Sequence, residues 1–250
     1  MTNSGPTTRI LVVSLRGAEA RRHAFQASAG ATDLPWEYFD ACESLHPELA
    51  YCEDEAIVAK GRPLTKGEIG CYSSHFEAWR QLLAGGHDQY VVLEDDVIVD
   101  WDYLAAFVRM DHSAAGHDYI RLYYKNPTPA RVLERDFGAR TRWLTEVYGY
   151  CFGTQGYLIT RRAAAVFTER FRTVRRPIDD EMDRSWAHGV PSLAVFPFPV
   201  IERAQESGIG VGRFQTFGVP QRLRLRRAIA RQRERVAFHL LGRARAFLAR

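Results

Sequence analysis

Three acidic residues follow directly on an apolar run in the segment QYVVLEDDVIVD, which spans residues 89–100. The run Tyr90–Leu93 has the length and composition of a buried strand. Glu94, Asp95 and Asp96 therefore stand at the carboxyl end of a strand, where ligands collect in open α/β sheets. Neighbouring negative charges repel one another, and a bound divalent cation relieves that repulsion. Oxygen ligands favour Mg²⁺ or Mn²⁺ over zinc, and such ions commonly bind substrate phosphates.

The same acidic triplet also fits a solvated turn between two short strands. The apolar run in front of the acids argues against this alternative, because the residues that lead into a solvated loop do not need to be buried. The sequence therefore predicts a divalent metal ion, Mn²⁺ or Mg²⁺, at the end of this strand, together with a phosphorylated substrate.

Strand and helix patterns alternate on both sides of the acids. Residues Arg9–Leu15 form an apolar run of strand length, and the following RGAEARRHAFQAS favours a helix. Thr65 and Glu68 have capping-box spacing, and two glycines end the periodic run behind them. These signals predict a helix over about Lys66–Ala84 that delivers the chain to the strand before the acids.

Further strand patterns occur at residues 36–41, 117–124 and 153–160. Alternating strands and helices are typical of an α/β domain with a mixed, mostly parallel central sheet flanked by helices. We expect this single domain to occupy residues 1–215 and a basic helical tail to occupy residues 216–250.

Composition places the chain among ordinary globular proteins. It has 250 residues, of which 46% are hydrophobic and 26% charged. Neither a cationic leader followed by an apolar run nor an apolar stretch of spanning length is visible, so we expect a cytoplasmic protein. The four cysteines are widely spaced, without a C-x-x-C pair, which indicates reduced thiols.

The last thirty residues differ sharply in charge from the rest. They contain ten arginines and one acid, a net charge of about +9, against about −5 for the remaining chain. An apolar stripe at helical spacing accompanies the arginines: Leu225, Ile229, Val236, Leu240 and Phe247. Such a helix suits the surface of an anionic bilayer. A packing or oligomerisation helix is the alternative, and sparse aromatics beside an acidic body argue against nucleic acid.

Two motifs together resemble glycosyltransferase family 25. They are LTKGEIGCYSSHFEAW, residues 64–79, and VVLEDDVIV, residues 91–99. VVSLRGAEARRHAF, GTQGYLITRRAAAVF and RPIDDEM are similar to other family segments, so the resemblance covers roughly residues 9–210. That family includes bacterial lipopolysaccharide and lipooligosaccharide galactosyltransferases and relatives that glycosylate collagen. The resemblance implies a GT-A fold, a nucleotide-sugar donor (most often UDP-galactose), a divalent metal and inversion at the anomeric carbon.

The resemblance also implies roles for the acids and for an arginine. Asp96, the last acid of the motif, would touch the metal. Glu94 and Asp95 would contact the donor ribose or a metal-bound water. Arg21 matches one arginine of the family's Arg-Arg pair and would bind the donor diphosphate, which suits a guanidinium fork. A solvated helix face is the alternative for this arginine.

Two further positions carry weaker implications for donor binding. His75 matches the family's Ser-His and would make a polar contact near the donor. A buried helix histidine is the alternative. Gln205, in AQESGIG, resembles a segment that closes over the donor, and a flexible connection to the tail is the alternative.

Inverting transfer needs a general base that takes the proton of the acceptor hydroxyl. In the segment PIDDEMD, Asp179 matches the family's Pro-x-Asp, so we expect Asp179, and then Asp180, to be this catalytic base. An acidic helix N-terminus stabilised by the helix dipole is the alternative.

The sequence therefore predicts an inverting glycosyltransferase. We expect it to move a hexose, galactose before glucose, from a UDP-sugar to lipopolysaccharide, lipooligosaccharide or another lipid-linked glycan at the cytoplasmic face of the inner membrane. A catalytically silent GT-A-fold binding or scaffold protein is one alternative. A glycoside hydrolase is another, although its paired acids would face each other across a cleft.

Overall fold

Strands and helices alternate through most of the chain, and the computed structural model describes residues 5–30, 32–203 and 217–247. The strands are β1 (Thr8–Ser14), β2 (Trp36–Asp40), β3 (Ala50–Tyr51), β4 (Gln89–Glu94), β5 (Val97–Val99), β6 (Tyr119–Arg121), β7 (Ala130–Arg135), β8 (Trp143–Val147), β9 (Gly156–Thr160), β10 (Thr173–Val174), β11 (Leu193–Phe196) and β12 (Val200–Glu202). The helices are α1 (Glu19–Ala29), α2 (Glu53–Lys60), α3 (Lys66–Ala84), α4 (Trp101–Phe107), α5 (Arg161–Arg170), α6 (Ile178–Met182), α7 (Ser185–His188) and α8 (Gln221–Phe247).

The central sheet is mixed and has eight strands among the described residues, in the order β2-β1-β4-β9-β6-β11-β8-β7. Parallel pairs join β1 to β2, β1 to β4 and β6 to β11, and the other four junctions are antiparallel. This confirms the predicted α/β class with a central sheet flanked by helices. Strand β1 is parallel to both β2 and β4, so the carboxyl ends of β1 and β4 meet at one edge of the sheet.

Helices cover both faces of the sheet, and strand β4 shows how its residues divide between the two faces. Tyr90 and Val92 join one core, under α3 and α5. Val91 and Leu93 join the other, under α1 and α4. This alternation is the period of two that a strand imposes on its side chains. The acids that follow β4 are thus held by a strand buried on both faces.

Helix α3 has the predicted bounds, and most of its motif is structural. Thr65 and Glu68 form the expected capping box. A Cβ atom on Gly70 would lie 2.6 Å from the carbonyl oxygen of Cys42, so a larger residue would collide with the backbone there. The Ser74 hydroxyl accepts a hydrogen bond from the Cys42 backbone N–H at 2.8 Å. These contacts fix α3 against the loop that follows β2.

Helix α8 packs along the body with one face. Leu223 is buried, Arg222 pairs with Asp54, and Arg227 donates to the carbonyl oxygens of Ile57 and Val58 in α2. The packing alternative for the tail is therefore confirmed for this face of α8.

The apolar stripe identified in the sequence lies on another face of α8. Leu225 and Leu240 are 71% and 65% exposed, and Ile229 and Val236 are exposed as well. Phe247 and the expected boundary at residue 215 lie outside what the structure describes in detail. Among the described residues, we find no helix with the combined length and apolarity needed to cross a membrane.

Candidate active site

Strand β4 ends in acids that lie close together. Thr154 donates a hydrogen bond from its hydroxyl to Glu94. Burial, and then the charge of Asp96, raises the pKa of Glu94 to about 8. Burial, and then the charges of Asp95 and Glu202, raises the pKa of Asp96. The Oδ1 atom of Asp96 is buried and has no hydrogen-bond partner among the described residues.

Asp95 has a different environment from the acids on either side of it. Its side chain is buried, the Ser14 hydroxyl donates to it at 2.6 Å, and the Arg21 guanidinium lies 3.2 Å away. Arg21 therefore lies beside the acids, and 28% of its side chain stays exposed. Arg22 instead binds the Ser14 carbonyl oxygen and Asp40, which fixes the end of β1.

A fourth acid, which the sequence analysis missed, joins this group. Strand β12 pairs with β5 in a register that sets Glu202 opposite Val97. The Arg203 backbone N–H donates to the Asp96 carbonyl oxygen at 2.7 Å. Glu202 itself forms an ion pair with Lys125 at 2.8 Å. No local sequence motif indicates a role for Glu202. Only the pairing of β12 with β5, two strands far apart in sequence, brings Glu202 to the acids.

The acids at this edge fit a divalent cation. Glu94 and Asp96 are both less easily ionised than a free carboxyl, because burial and mutual repulsion oppose their charges. The unpartnered Oδ1 atom of Asp96 adds a buried acceptor without a donor. A hard cation compensates all of these penalties at once. Glu94, Asp96 and Glu202 are therefore the residues that could hold Mg²⁺ or Mn²⁺.

His75 belongs to a second, more enclosed group with Cys71 and Glu94. One candidate ligand atom from each of the three lies within 4.8 Å of the others. His75 accepts or donates a hydrogen bond through Nδ1 to the Tyr157 hydroxyl at 2.8 Å, and burial lowers its pKa to about 3. Burial also raises the pKa of the Cys71 thiol, which disfavours the thiolate that binds metals. The oxygen ligands therefore suit a hard cation better than this second group does, and His75 is a neutral histidine buried behind them.

The acids of α6 are held by tertiary contacts. Asp179 accepts a hydrogen bond from the Gly153 backbone N–H at 2.9 Å. Asp180 is 4% exposed and binds the Lys60 ammonium at 2.6 Å. Burial raises the pKa of Asp180 to about 6, although the Lys60 charge opposes this shift.

Asp180 lines a cavity of about 200 Å³ that we call the Asp180 cavity. Its walls come from α2, the segment after β8, α6 and α8. The lining includes Val58, Ala59, Lys60, Tyr150, Phe152, Arg176, Asp180, Ala230, Arg231 and Glu234. Phe152 lines this cavity, and Thr154, two residues later, binds Glu94. The cavity and the acids at the end of β4 are therefore linked by one short segment.

One predicted donor-binding residue, Gln205, lies outside the described residues. The structure otherwise brings Arg21, Glu94, Asp95 and Asp96 together at one sheet edge and places Asp180 in the neighbouring cavity.

Comparison with known proteins agrees with the sequence motifs. Residues 7–182 match the model of Glycosyltransferase family 25 (LPS biosynthesis protein). The lacto-N-neotetraose biosynthesis glycosyltransferase LgtE of Neisseria meningitidis is 31% identical, over 64% of this chain and 59% of its own length. LgtB of Neisseria gonorrhoeae is 30% identical, over 64% of this chain and 60% of its own length.

A human relative, named inactive glycosyltransferase 25 family member 3, is 30% identical over 68% of this chain and 30% of its own length. The chain thus spans about three fifths of the bacterial relatives and a smaller part of the human one. Because the family model covers well over half of the chain, the chain belongs to glycosyltransferase family 25.

Proposed function

We propose that the protein is an inverting glycosyltransferase that moves a hexose, galactose before glucose, from a UDP-sugar to a lipopolysaccharide or lipooligosaccharide acceptor. The cluster of acids at the end of β4 carries this proposal. The carboxyls of Glu94 and Asp96 have raised pKa values, Asp96 has an unpartnered oxygen, and Arg21 lies beside the cluster. This arrangement suits a metal-bound diphosphate.

In this proposal Asp96, Glu94 and Glu202 hold the divalent cation. When bound, the cation supplies Lewis-acid stabilisation of the charge that builds on the leaving nucleotide. Arg21 presents its partly exposed guanidinium to the diphosphate while Asp95 fixes its position. His75 supports the acids from behind and stays neutral, so it adds no charge to the donor site.

We assign the base to Asp180 and a positioning role to Asp179. Asp180 faces a cavity, and its pKa of about 6 lies near neutral pH, as an efficient general base requires. Asp179 is engaged by the Gly153 backbone, so its carboxylate orders the segment between the cavity and the acids.

Binding of UDP in the presence and absence of Mn²⁺ tests this function. We expect UDP with Mn²⁺, at about 100 times its dissociation constant, to stabilise the protein by about 2.7 kcal/mol, which raises the melting temperature by about 5–10 °C. UDP with EDTA is the control and should give a much smaller rise. A response without any metal requirement would contradict the metal role. A normal response to UDP and Mn²⁺ with no UDP release from any UDP-sugar would favour a silent binding protein, as the human relative's name suggests.

We further propose that α8 holds the protein on an anionic membrane surface. Its exposed apolar stripe, with Leu225 and Leu240 at the ends, is flanked by exposed arginines, and the opposite face is already fixed to the body. A helix docked in this way presents its apolar residues outward, to a partner outside the described chain. Apolar residues flanked by arginine suit the boundary between anionic headgroups and acyl chains.

Vesicle co-sedimentation tests the membrane contact. The full chain should bind vesicles that contain phosphatidylglycerol, and Leu225→Ser with Leu240→Ser should weaken binding by about tenfold or more, because two exposed apolar side chains no longer enter the bilayer. Leu133→Ser, at an exposed leucine on β7, is the matched control. Equal binding by the double variant and the wild type would remove the proposal. Substitutions test the membrane contact more cleanly than deletion of α8, since deletion would also expose the surface of the body that Leu223 covers.

A further inference from the structure

The structure assigns the Asp180 cavity as the subsite for an acceptor sugar ring, with α8 as one wall. This inference rests on the proposed function and adds to it the place where the acceptor binds. It also gives α8, which lies beyond the region of the family match, a part in the choice of acceptor.

The aromatic lining gives the cavity the chemistry of a carbohydrate site. Tyr150 and Phe152 stack with ring centroids 5.5 Å apart and an interplanar angle of 21°. Both rings line the cavity and give it an apolar wall that suits the C–H groups of a pyranose. Asp180 and Lys60 supply a hydrogen-bond acceptor and a donor beside it. A few placed polar groups in an apolar cavity are typical of small-molecule sites.

The backbone of Phe152 is strained. Its φ is 57°, in the left-handed region that bulky residues rarely adopt. Asp183 accepts hydrogen bonds from the backbone N–H groups of Phe152 and Cys151 at 2.8 and 2.9 Å. Asp183 is in turn paired with the buried Arg121 at 2.5 Å. A buried ion pair thus holds Phe152 in a costly conformation, and such strain concentrates at binding sites.

Helix α8 closes the other side of the cavity. Ala230, Arg231 and Glu234 line it, and Glu234 is held by Arg184 at 2.7 Å and by the Tyr150 hydroxyl at 2.5 Å. The small side chain of Ala230 leaves the space open. A cavity of about 200 Å³ is below the range of roughly 300–1,000 Å³ for drug-sized ligands, so it suits a single ring.

Position also favours an acceptor over a donor. The donor diphosphate is assigned to the acids at the end of β4, and the segment from Phe152 to Thr154 connects them to the cavity. Asp180, the proposed base, is in the cavity itself. A sugar ring bound there would bring a hydroxyl group to Asp180.

Direct binding of octyl β-galactoside and octyl β-glucoside tests the inference. In saturation-transfer NMR, at least one glycoside should bind the wild type, and Ala230→Phe should weaken that binding at least tenfold by filling the cavity. Ala228→Phe, on an exposed position of the same helix, is the matched control and should bind as the wild type does. Phe152→Ala should also weaken binding at least tenfold, because the largest part of the apolar wall on that side of the cavity is lost.

Three results would overturn the inference. They are failure of the wild type to bind either glycoside, unchanged binding by a folded Ala230→Phe variant, and equal loss in Ala228→Phe. Circular dichroism and melting temperature establish folding for each variant. The UDP and Mn²⁺ response is measured on the same proteins. Glycoside binding without that response would contradict the proposed donor chemistry and leave the sugar site standing. The reverse result would contradict only the acceptor subsite.

Discussion

Asp96→Asn is expected to lower the turnover number for hexose transfer by about a thousandfold or more, equivalent to about 4 kcal/mol of transition-state stabilisation. The substitution keeps the size of the side chain but removes a charged oxygen ligand from the cation site. Asp96 has the unpartnered buried oxygen of the cluster, and Asp95, Glu202 and Arg21 are the charges that act on it most strongly. The loss should fall on turnover and on the metal-dependent response to UDP together.

The folded state should survive this substitution. Asp96→Asn removes one of several like charges, so we expect the melting temperature of the metal-free protein to stay the same or rise. Asp102→Asn, at an exposed acid in α4, controls for a change of net charge and should leave turnover unchanged. A well-folded Asp96→Asn protein with wild-type turnover would refute the assignment of the metal to this edge. In that case Glu94→Gln and Glu202→Gln, measured in parallel, would show whether another acid holds it.

Local signals predicted the elements that carry the acids. The capping box at Thr65 and Glu68 and the apolar run before Glu94 each depend on neighbours in sequence, so α3 and β4 have the expected positions. The motif of α3 is informative in another way. Its Gly70 and Ser74 make close contacts with the loop at Cys42. These two residues of the family motif therefore stabilise the fold around α3.

Long-range contacts explain what the sequence did not predict. Glu202 reaches the acids only because β12 pairs with β5, and nothing near Glu202 in sequence indicates that partner. The left-handed backbone of Phe152 depends on Asp183, thirty-one residues later, and on the buried Arg121. Such contacts depend on tertiary packing, which neither hydrophobic periodicity nor composition reports.

Helix α8 has one face that local sequence signals predicted and another that depends on long-range contacts. Its apolar stripe was visible in the sequence, since spacing alone defines a helical face. Its docking face was not visible, because arginines and Glu234 make most of the contacts on it. The strongest apolar pattern of this helix therefore faces away from the body, which is the reverse of the rule for an ordinary surface helix.

Asp180→Asn should lower the turnover number by about 10²–10⁴-fold, the range expected when a general base is removed. A base acts in its ionised form, so wild-type kcat/KM should fall as the pH drops through about 6, the pKa to which burial raises Asp180. That acidic limb should be absent in the residual activity of Asp180→Asn. Rates of UDP release, measured from pH 5 to pH 9 with a saturating metal concentration, provide the profile.

Lys60 and Asp179 supply the controls that separate a base from a structural acid. The Lys60 ammonium, 2.6 Å from Asp180, opposes the rise in its pKa, so Lys60→Gln should move the acidic limb to higher pH and leave a base in place. Asp179→Asn can still accept the hydrogen bond from Gly153 through its amide oxygen. The Asp179 charge helps to raise the pKa of Asp180, so in Asp179→Asn the acidic limb should remain and move to lower pH. A profile that loses its limb in Asp179→Asn and keeps it in Asp180→Asn would assign the base to Asp179. Because only a titrating base links the Lys60 charge to the position of the limb, a shift in Lys60→Gln identifies Asp180 by its chemistry as well as by its place in the cavity.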